Sequence, residues 1–374
     1  MKILYVTTIS LTMNSFFKPH VEMLVHEGHR VEIACNYEEL PLDEKFRELG
    51  CTAYQIDFMR SPLSRHNVKA YRQLKSIIEQ GQYDIIHCHT PVAAMLTRFA
   101  AQRARKNGTS VYYTAHGFHF FRGAPLLNWL VYFPIEWICS YMTDVLITIN
   151  REDHALAMKH MHAGAVEYVP GVGVDLKRFR NVDCCRAETR RSIGVPADAV
   201  MLLSVGELND NKNHQIIIKA MNILKDMDNL HYVLAGLGPN ADLLNNLANE
   251  HGIGNRVHLL GYRSDIPELN QAADIFCFPS HREGLGVAAL EAMASGVPVI
   301  TSNVHGINDY SENGKTGYKC SPNDEQAFAE AIRALACDAE ERKCFGKTAQ
   351  ETAQRFDRAV VLDIMKQIYG EGTC

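Results

Sequence analysis

Two carboxylates stand eight residues apart in PSHREGLGVAALEAMASGVPVI, residues 279–300. Glu283 sits in the loop after the apolar run DIFCFPS, and Glu291 lies among the apolar neighbours Leu290, Ala292 and Met293. Between them Gly284, Leu285 and Gly286 open a helix that carries Glu291. A helix start built of small residues offers free backbone N–H groups and the positive end of a dipole, which suits a diphosphate. Eight helical residues would span about 12 Å, close to the length between the sugar and the ribose of an extended nucleotide-sugar. One carboxylate at each end could then hold hydroxyls. The plainer reading makes Glu291 a capping or surface acid, but a buried carboxylate needs a partner. Lys212 follows a second apolar run, AVMLLSVG, which ends at Gly206. A lysine there could oppose the charge of a departing phosphate, or it could be an ordinary solvated loop residue.

Histidines form the other candidate set. His116 follows the apolar run SVYYTA, and His87 and His89 alternate on one expected strand, so they share a face. A histidine at a strand end can hydrogen-bond a ligand or pass a proton, and a core histidine satisfied by the backbone is the alternative. Two histidines without an evident third ligand do not make a metal site, so no metal is expected. His119 is a weaker candidate.

These residues need elements to position them. KILYVTT, HRVEIAC, AYQIDF, YDIIHCH and SVYYTAHG are short apolar runs separated by helical patterns at 15–27, 66–80 and 91–106, and DVLITIN and EYVPGVGVD complete the series. Residues 8–14 are expected to form a loop before the first helix. The grammar restarts near residue 199 with AVMLLSVG, a helix at 213–225, and HYVLAGLG, VHLLGY, DIFCFPS and VPVITSN. Strand–helix–strand repeats imply parallel sheets with right-handed crossovers. The fold class is α/β, with two doubly wound Rossmann-like domains facing across a cleft. Residues 1–178 and 179–355 are the expected domains, and a last helix at 356–374 is expected to pack back on the first. Ligands in such sheets bind beyond the carboxyl ends of the strands.

Composition fits this picture. The chain has 374 residues, 47% hydrophobic and 22% charged, enough for two domains with cores. Its 11 cysteines are scattered without a C-x-x-C pair, which points to a reducing compartment, the cytosol. The opening MKILYVTTIS reads as a buried strand rather than a signal peptide, since no A-x-A site follows. Residues 1–180 carry 20 basic against 17 acidic residues, and 181–374 carry 18 against 26, so the halves are expected to meet different partners. No nucleic acid is among them.

The motifs together resemble the family-4 retaining glycosyltransferases of the GT-B fold. E-x7-E followed by EAMASGVPVI carries the resemblance, with SVGELNDNKNHQIIIKA, VLAGLGP, VHLLGYRSDIPEL and VPGVGVD. DIIHCHTP, TAHGFHFFRGAPLLNWLVYFPIEW and DVLITINREDHALA resemble the subgroup that builds capsular and exopolysaccharide repeat units. By this resemblance Glu283 contacts the transferred sugar, Glu291 the ribose, Lys212 the diphosphate, and His116 the donor sugar. Gly206 and residues 284–287 line the nucleotide. The family's arginine five positions before the lysine is replaced by Glu207, which leaves Arg263, Arg282 or a backbone amide to take over. The resemblance implies a UDP-sugar donor, transfer without a cofactor or a metal handle of the D-x-D kind, and a lipid-linked saccharide acceptor.

Residues 118–142 hold both tryptophans and only two formal charges, Arg122 and Glu136. Pro125 and Pro134 break the run, which is too short to span a bilayer. It is either core helix or an aromatic face at a membrane surface. Basic residues nearby in sequence, among them Arg60, Arg98, Arg103, Arg105 and Lys106, could attract anionic lipid. A solvated basic face is the alternative; the resemblance, whose subgroup takes polyprenyl-diphosphate-linked acceptors, implies peripheral association with the inner face of the membrane. A Rossmann dehydrogenase is excluded, because no strand is followed by G-x-G-x-x-G. The remaining alternatives are a UDP-sugar 2-epimerase of the same fold and a non-catalytic UDP-sugar-binding partner.

Overall fold

The apolar run at the start of the chain becomes an interior strand of a parallel sheet. The computed structural model describes residues 1–59, 61, 64–180 and 182–371; Arg60, Asn181 in the expected seam, and residues 372–374 lie outside them. The chain divides into two units, Met1–Gly173 with the chain from Ala359 onward, and Val174–Arg358.

In the first unit β1 (Lys2–Ile9), β2 (Arg30–Asn36), β3 (Thr52–Gln55), β4 (Ile85–His89), β5 (Ser110–Ala115), β6 (Val145–Thr148) and β7 (Ala165–Tyr168) form a sheet of order β3-β2-β1-β4-β5-β6-β7. Every pairing is parallel. Alternation on β1 sends Leu4 and Val6 into one core and Ile3 and Tyr5 into another, which is why the strand is apolar throughout. The second core is closed by the last helix, Arg358–Glu371, through Val361, Met365, Ile368 and Tyr369.

In the second unit β8 (Val200–Val205), β9 (Leu230–Ala235), β10 (Val257–Leu259), β11 (Ile275–Phe278), β12 (Val299–Ser302) and β13 (Gly317–Cys320) are ordered β10-β9-β8-β11-β12-β13, again all parallel. Each sheet reverses its winding once, between β1 and β4 and between β8 and β11. The crevice beyond the strand ends at such a reversal is where this architecture holds ligands.

Several elements differ from the sequence reading. Residues 8–14 are not a loop: β1 runs to Ile9, and helix follows at once through Ser10–Thr12, a π-turn at Met13–Phe17, and Lys18–His26. Tertiary contacts override the weak local preference. Met13 and Phe17 are buried, Ser10 Oγ donates to Leu40 O at 2.5 Å, and Asn14 bridges Pro41 O and the Asp43 N–H. The helix expected at 91–106 breaks at Ala101 into Pro91–Ala100 and Gln102–Lys106. The 213–225 helix shortens to Gln215–Ile223 after a 3-10 turn at Asp210–Lys212. EYVPGVGVD is strand only as far as Tyr168. The edge strand β13 was not foreseen, because GYKC is short and half polar. Pro134 does not break its helix, which runs Leu126–Ser140. Leu130, whose carbonyl loses its N–H partner to the proline, lies on the exposed side.

Candidate active site

The reversal between β8 and β11 brings two loops together. Gly206 follows β8 with φ +152°, and a Cβ there would sit 3.4 Å from Lys212 Cε. Gly236 packs on Gly206 so closely that an added Cβ would fall 1.8 Å from the Gly206 carbonyl oxygen. The Asn209 side chain accepts from the Lys212 N–H at 3.0 Å and starts the 3-10 turn. Asn213 then turns left-handed, with φ +54°, and its amide donates to Pro279 O and Pro322 O. Asn211 donates to Arg282 O at 3.0 Å and accepts from the His281 N–H at 2.8 Å through its own carbonyl. Asn209 thus shapes the loop after β8, and Asn211 and Asn213 stitch it to the loop after β11. Sequence reasoning missed them; the N-D-N-K-N alternation was the available signal, read only for its lysine.

The stitching sets Lys212 against Glu283. Lys212 Nζ is 2.5 Å from Glu283 Oε1 and 4.9 Å above the Phe278 ring, with the two side chains 21% and 13% exposed. So little water favours a close pair while keeping both groups reachable. Beyond Glu283, Leu285 is buried and Gly286 takes φ +92°; a Cβ at Gly286 would lie 2.5 Å from the Phe278 ring. The left-handed glycine starts the helix Val287–Ala294, and no side chain caps its N terminus. The Ala289 N–H is taken by Gly286 O at 3.2 Å, and the N–H groups ahead of it point to where an anion would sit. Because helix begins only at Val287, the straight 12 Å span between the carboxylates does not apply. Four helical steps carry the chain about 6 Å to Glu291, and the loop sets the remainder.

Glu291 is partly buried, and among the described residues none hydrogen-bonds its carboxylate. Burial raises its pKa to about 7, against a smaller opposing pull from the Arg178 guanidinium. Arg178 is exposed and donates to Ser264 O at 3.3 Å. A buried acid in this state gains from hydroxyl donors. Arg263, by contrast, forks onto Asp265 at 2.8 and 2.5 Å and has no hydrogen bond to Lys212 or Glu283 among the described residues. Glu207 is exposed beside Gly206. A D-x-D tripeptide does exist, Asp226-Met227-Asp228, in the turn before β9. Asp226 there is bound by Arg333 at 2.8 and 3.0 Å, outside this cluster.

His116 lies in the first unit, just past β5, with Nε2 3.2 Å from His89 Nδ1. Burial and the neighbouring His20 hold its pKa near 4, so it is neutral at pH 7 and serves as a hydrogen-bonding group rather than a proton store. His87 has both ring nitrogens engaged, by Tyr369 OH at 2.5 Å and Thr114 Oγ1 at 2.8 Å. His119 stacks on Tyr132. Among the described residues no three His, Cys, Asp or Glu side chains are grouped to hold a metal.

Comparison with known proteins agrees with this architecture. The model of glycosyl transferases group 1 matches residues 186–352, and that of glycosyl transferase 4-like proteins matches residues 2–150. The chain is 39% identical to the protein named glycosyltransferase EpsD of Bacillus subtilis, covering 98% of this chain and 96% of that one. It is 28% identical to the UDP-Gal:alpha-D-GlcNAc-diphosphoundecaprenol alpha-1,3-galactosyltransferase of Escherichia coli, covering 83% and 81%. The crystal structure of Anabaena HepE in complex with UDP superposes with a TM-score of 0.80 at 20% identity, covering 99% of this chain and all of that one. Two Rossmann-like parallel sheets, the carboxylate–lysine constellation at a sheet reversal, and a relative matched from end to end lead to one conclusion: the chain belongs to the family-4 glycosyltransferases of the GT-B fold.

Proposed function

We propose that this glycosyltransferase moves a hexose or N-acetylhexosamine from a UDP-sugar to a polyprenyl-diphosphate-linked saccharide, with retention and without a metal. The observation that carries the reading is the Lys212–Glu283 pair at the foot of an uncapped helix. In the proposed complex a donor divides the pair: Lys212 turns to the diphosphate and Glu283 accepts from sugar hydroxyls. The N–H groups from Gly284 to Val287 cradle the phosphates, and Glu291 accepts from the ribose. Transfer breaks the bond from C1 to the β-phosphate oxygen and forms one from C1 to the acceptor oxygen. The acceptor proton passes to the departing phosphate, and Lys212 stabilises the charge that develops there. Gly206 leaves room for the lysine stem. His116 enters by the resemblance alone, as a neutral donor or acceptor toward the sugar, and Arg263 only if it releases Asp265. The lipid-linked acceptor is supported by the activity named for the E. coli relative, and an acceptor of that kind would put the work at the inner membrane surface. The resemblance to exopolysaccharide enzymes supports a role in surface polysaccharide assembly.

A direct test follows UDP release from a panel of nucleotide-sugars in EDTA, with and without polyprenyl-diphosphate saccharides. Release from one UDP-sugar that requires the acceptor is the expected result. Acceptor-independent consumption would favour epimerisation. Tight UDP binding with no turnover of any donor would favour a non-catalytic binder.

A further inference from the structure

The helix Leu126–Ser140 presents an outward face with no polar side chain. Leu126, Leu127, Leu130 and Ile138 are each at least half exposed, Val131 and Trp137 are 43% and 39% exposed, and Pro134 and Tyr141 continue the stripe. The spacing of three and four keeps all of them on one side. The single charge of the helix points the other way: Glu136 is buried, 2.8 Å from Arg98 and 3.3 Å from Tyr113 OH. A soluble surface helix ordinarily reverses this distribution.

Cations flank the stripe. Arg122 is exposed ahead of Leu126. At the other end Arg105 donates to Tyr141 O at 2.8 Å, which brings the helix Gln102–Lys106 alongside with Arg103 and Lys106 exposed. Of the nearby acids Asp144 is paired with Arg105 at 2.7 Å, Glu79 stands 4.0 Å from the exposed Arg103, and Glu152 accepts from the Arg122 backbone N–H at 2.6 Å. The face is roughly 22 Å by 10 Å, far below the ~800 Å² per partner of a stable dimer. Fifteen residues also fall short of the ~20 that cross a bilayer, and among the described residues no helix is long and apolar enough to do so.

We infer that this helix is the membrane-docking element, lying in the plane of an anionic bilayer surface. Its leucines enter the acyl boundary, and Trp137 and Tyr141 sit at headgroup level. Arg122, Arg103 and Lys106 meet anionic headgroups. The inference extends the reading of a lipid-linked acceptor, but its surface is separate from the Lys212–Glu283 site.

The experiment is co-sedimentation of the full chain with vesicles of phosphatidylcholine, alone or with phosphatidylglycerol, at low and high salt. The wild type binds the anionic vesicles, less so in high salt, with a blue shift of emission that Trp137→Phe diminishes. Leu127→Glu with Leu130→Glu, both at exposed positions, lowers binding about a hundredfold, while UDP-sugar binding and transfer to a water-soluble acceptor analogue stay unchanged. Arg103→Glu with Lys106→Glu removes the salt-sensitive part. Wild-type failure to bind vesicles, or full binding by the leucine double variant, overturns the inference. So does a wild-type dimer in sedimentation velocity that the leucine variant splits, since a second copy would then cover the face. Vesicle binding by an enzyme that transfers no sugar would leave the docking element standing and sink the catalytic reading instead.

Discussion

Lys212 and Glu283 are 71 residues apart, and only the winding of a parallel sheet brings them to 2.5 Å. Their types were legible in the sequence, because a lysine after a glycine-ended strand and an acid before a glycine-rich helix start suit a diphosphate and a sugar. Their ion pair was not, and neither were the bonds by which Asn211 and Asn213 tie the two loops, since those contacts arise only once both loops are placed. Lys212→Ala is expected to slow transfer about 10²–10³-fold, measured as kcat/KM with the preferred UDP-sugar. Glu291 makes a pH prediction. Its pKa is raised to about 7 from a usual 4.5, so the folded state binds a proton more tightly than the unfolded chain. Stability from this group is fully present below pH 4.5 and is lost as pH rises through 7. Glu291→Gln is therefore expected to be more stable than wild type at pH 8, by up to about 3 kcal/mol, with the gap closing near pH 4.5 in urea unfolding. In binding the sign is reversed. Wild-type affinity for a UDP-sugar should rise with pH through 7 as Glu291 becomes an acceptor for hydroxyls, and the glutamine variant should bind more weakly with a flat profile. A UDP-sugar is the right ligand because free UDP has a phosphate proton of its own near pH 6.

Elements were easiest to read where burial made them uniformly apolar. β1, β4, β8 and β11 stood out for that reason and are the strands that flank the two reversals. β13 escaped because an edge strand of four residues with a lysine carries little period. Residues 8–14 escaped because their helix is held by distant partners. The helix Leu126–Ser140 left core and surface readings open, since periodicity could not say which side the sheet takes; the Arg98–Glu136 pair marks the inner side. The turn before Val287 offers a test of positioning. Gly286→Ala combines left-handed strain with a Cβ 2.5 Å from the Phe278 ring, and is expected to cost about 3 kcal/mol or more and to weaken donor binding. Gly314→Ala shares the positive φ, +71°, but meets nothing within 4 Å, and should cost only about 1 kcal/mol. Chemical denaturation of the pair separates site geometry from backbone strain.

At the scale of the molecule, the last helix returns to the unit that the first strand began, so the two chain ends share one core. Met365→Ala, in the same buried cluster as Ile3 and Tyr5, is expected to cost about 2–5 kcal/mol in the first unit. In calorimetry that loss should fall on one transition, and added UDP should raise the other, because the proposed nucleotide contacts lie in the second unit. The doubly wound architecture was legible from the repeated strand–helix grammar, and the apolar stripe of the last helix already suggested that it packs back on the first unit; which residues it covers there only packing decides. The central claim is that the Lys212–Glu283 constellation carries sugar transfer, and the most direct measurement compares Glu283→Ala with wild type for UDP affinity and for transfer in the same preparation. The account predicts UDP affinity within a few-fold of wild type and transfer reduced about a hundredfold or more. Undiminished transfer by Glu283→Ala would contradict it.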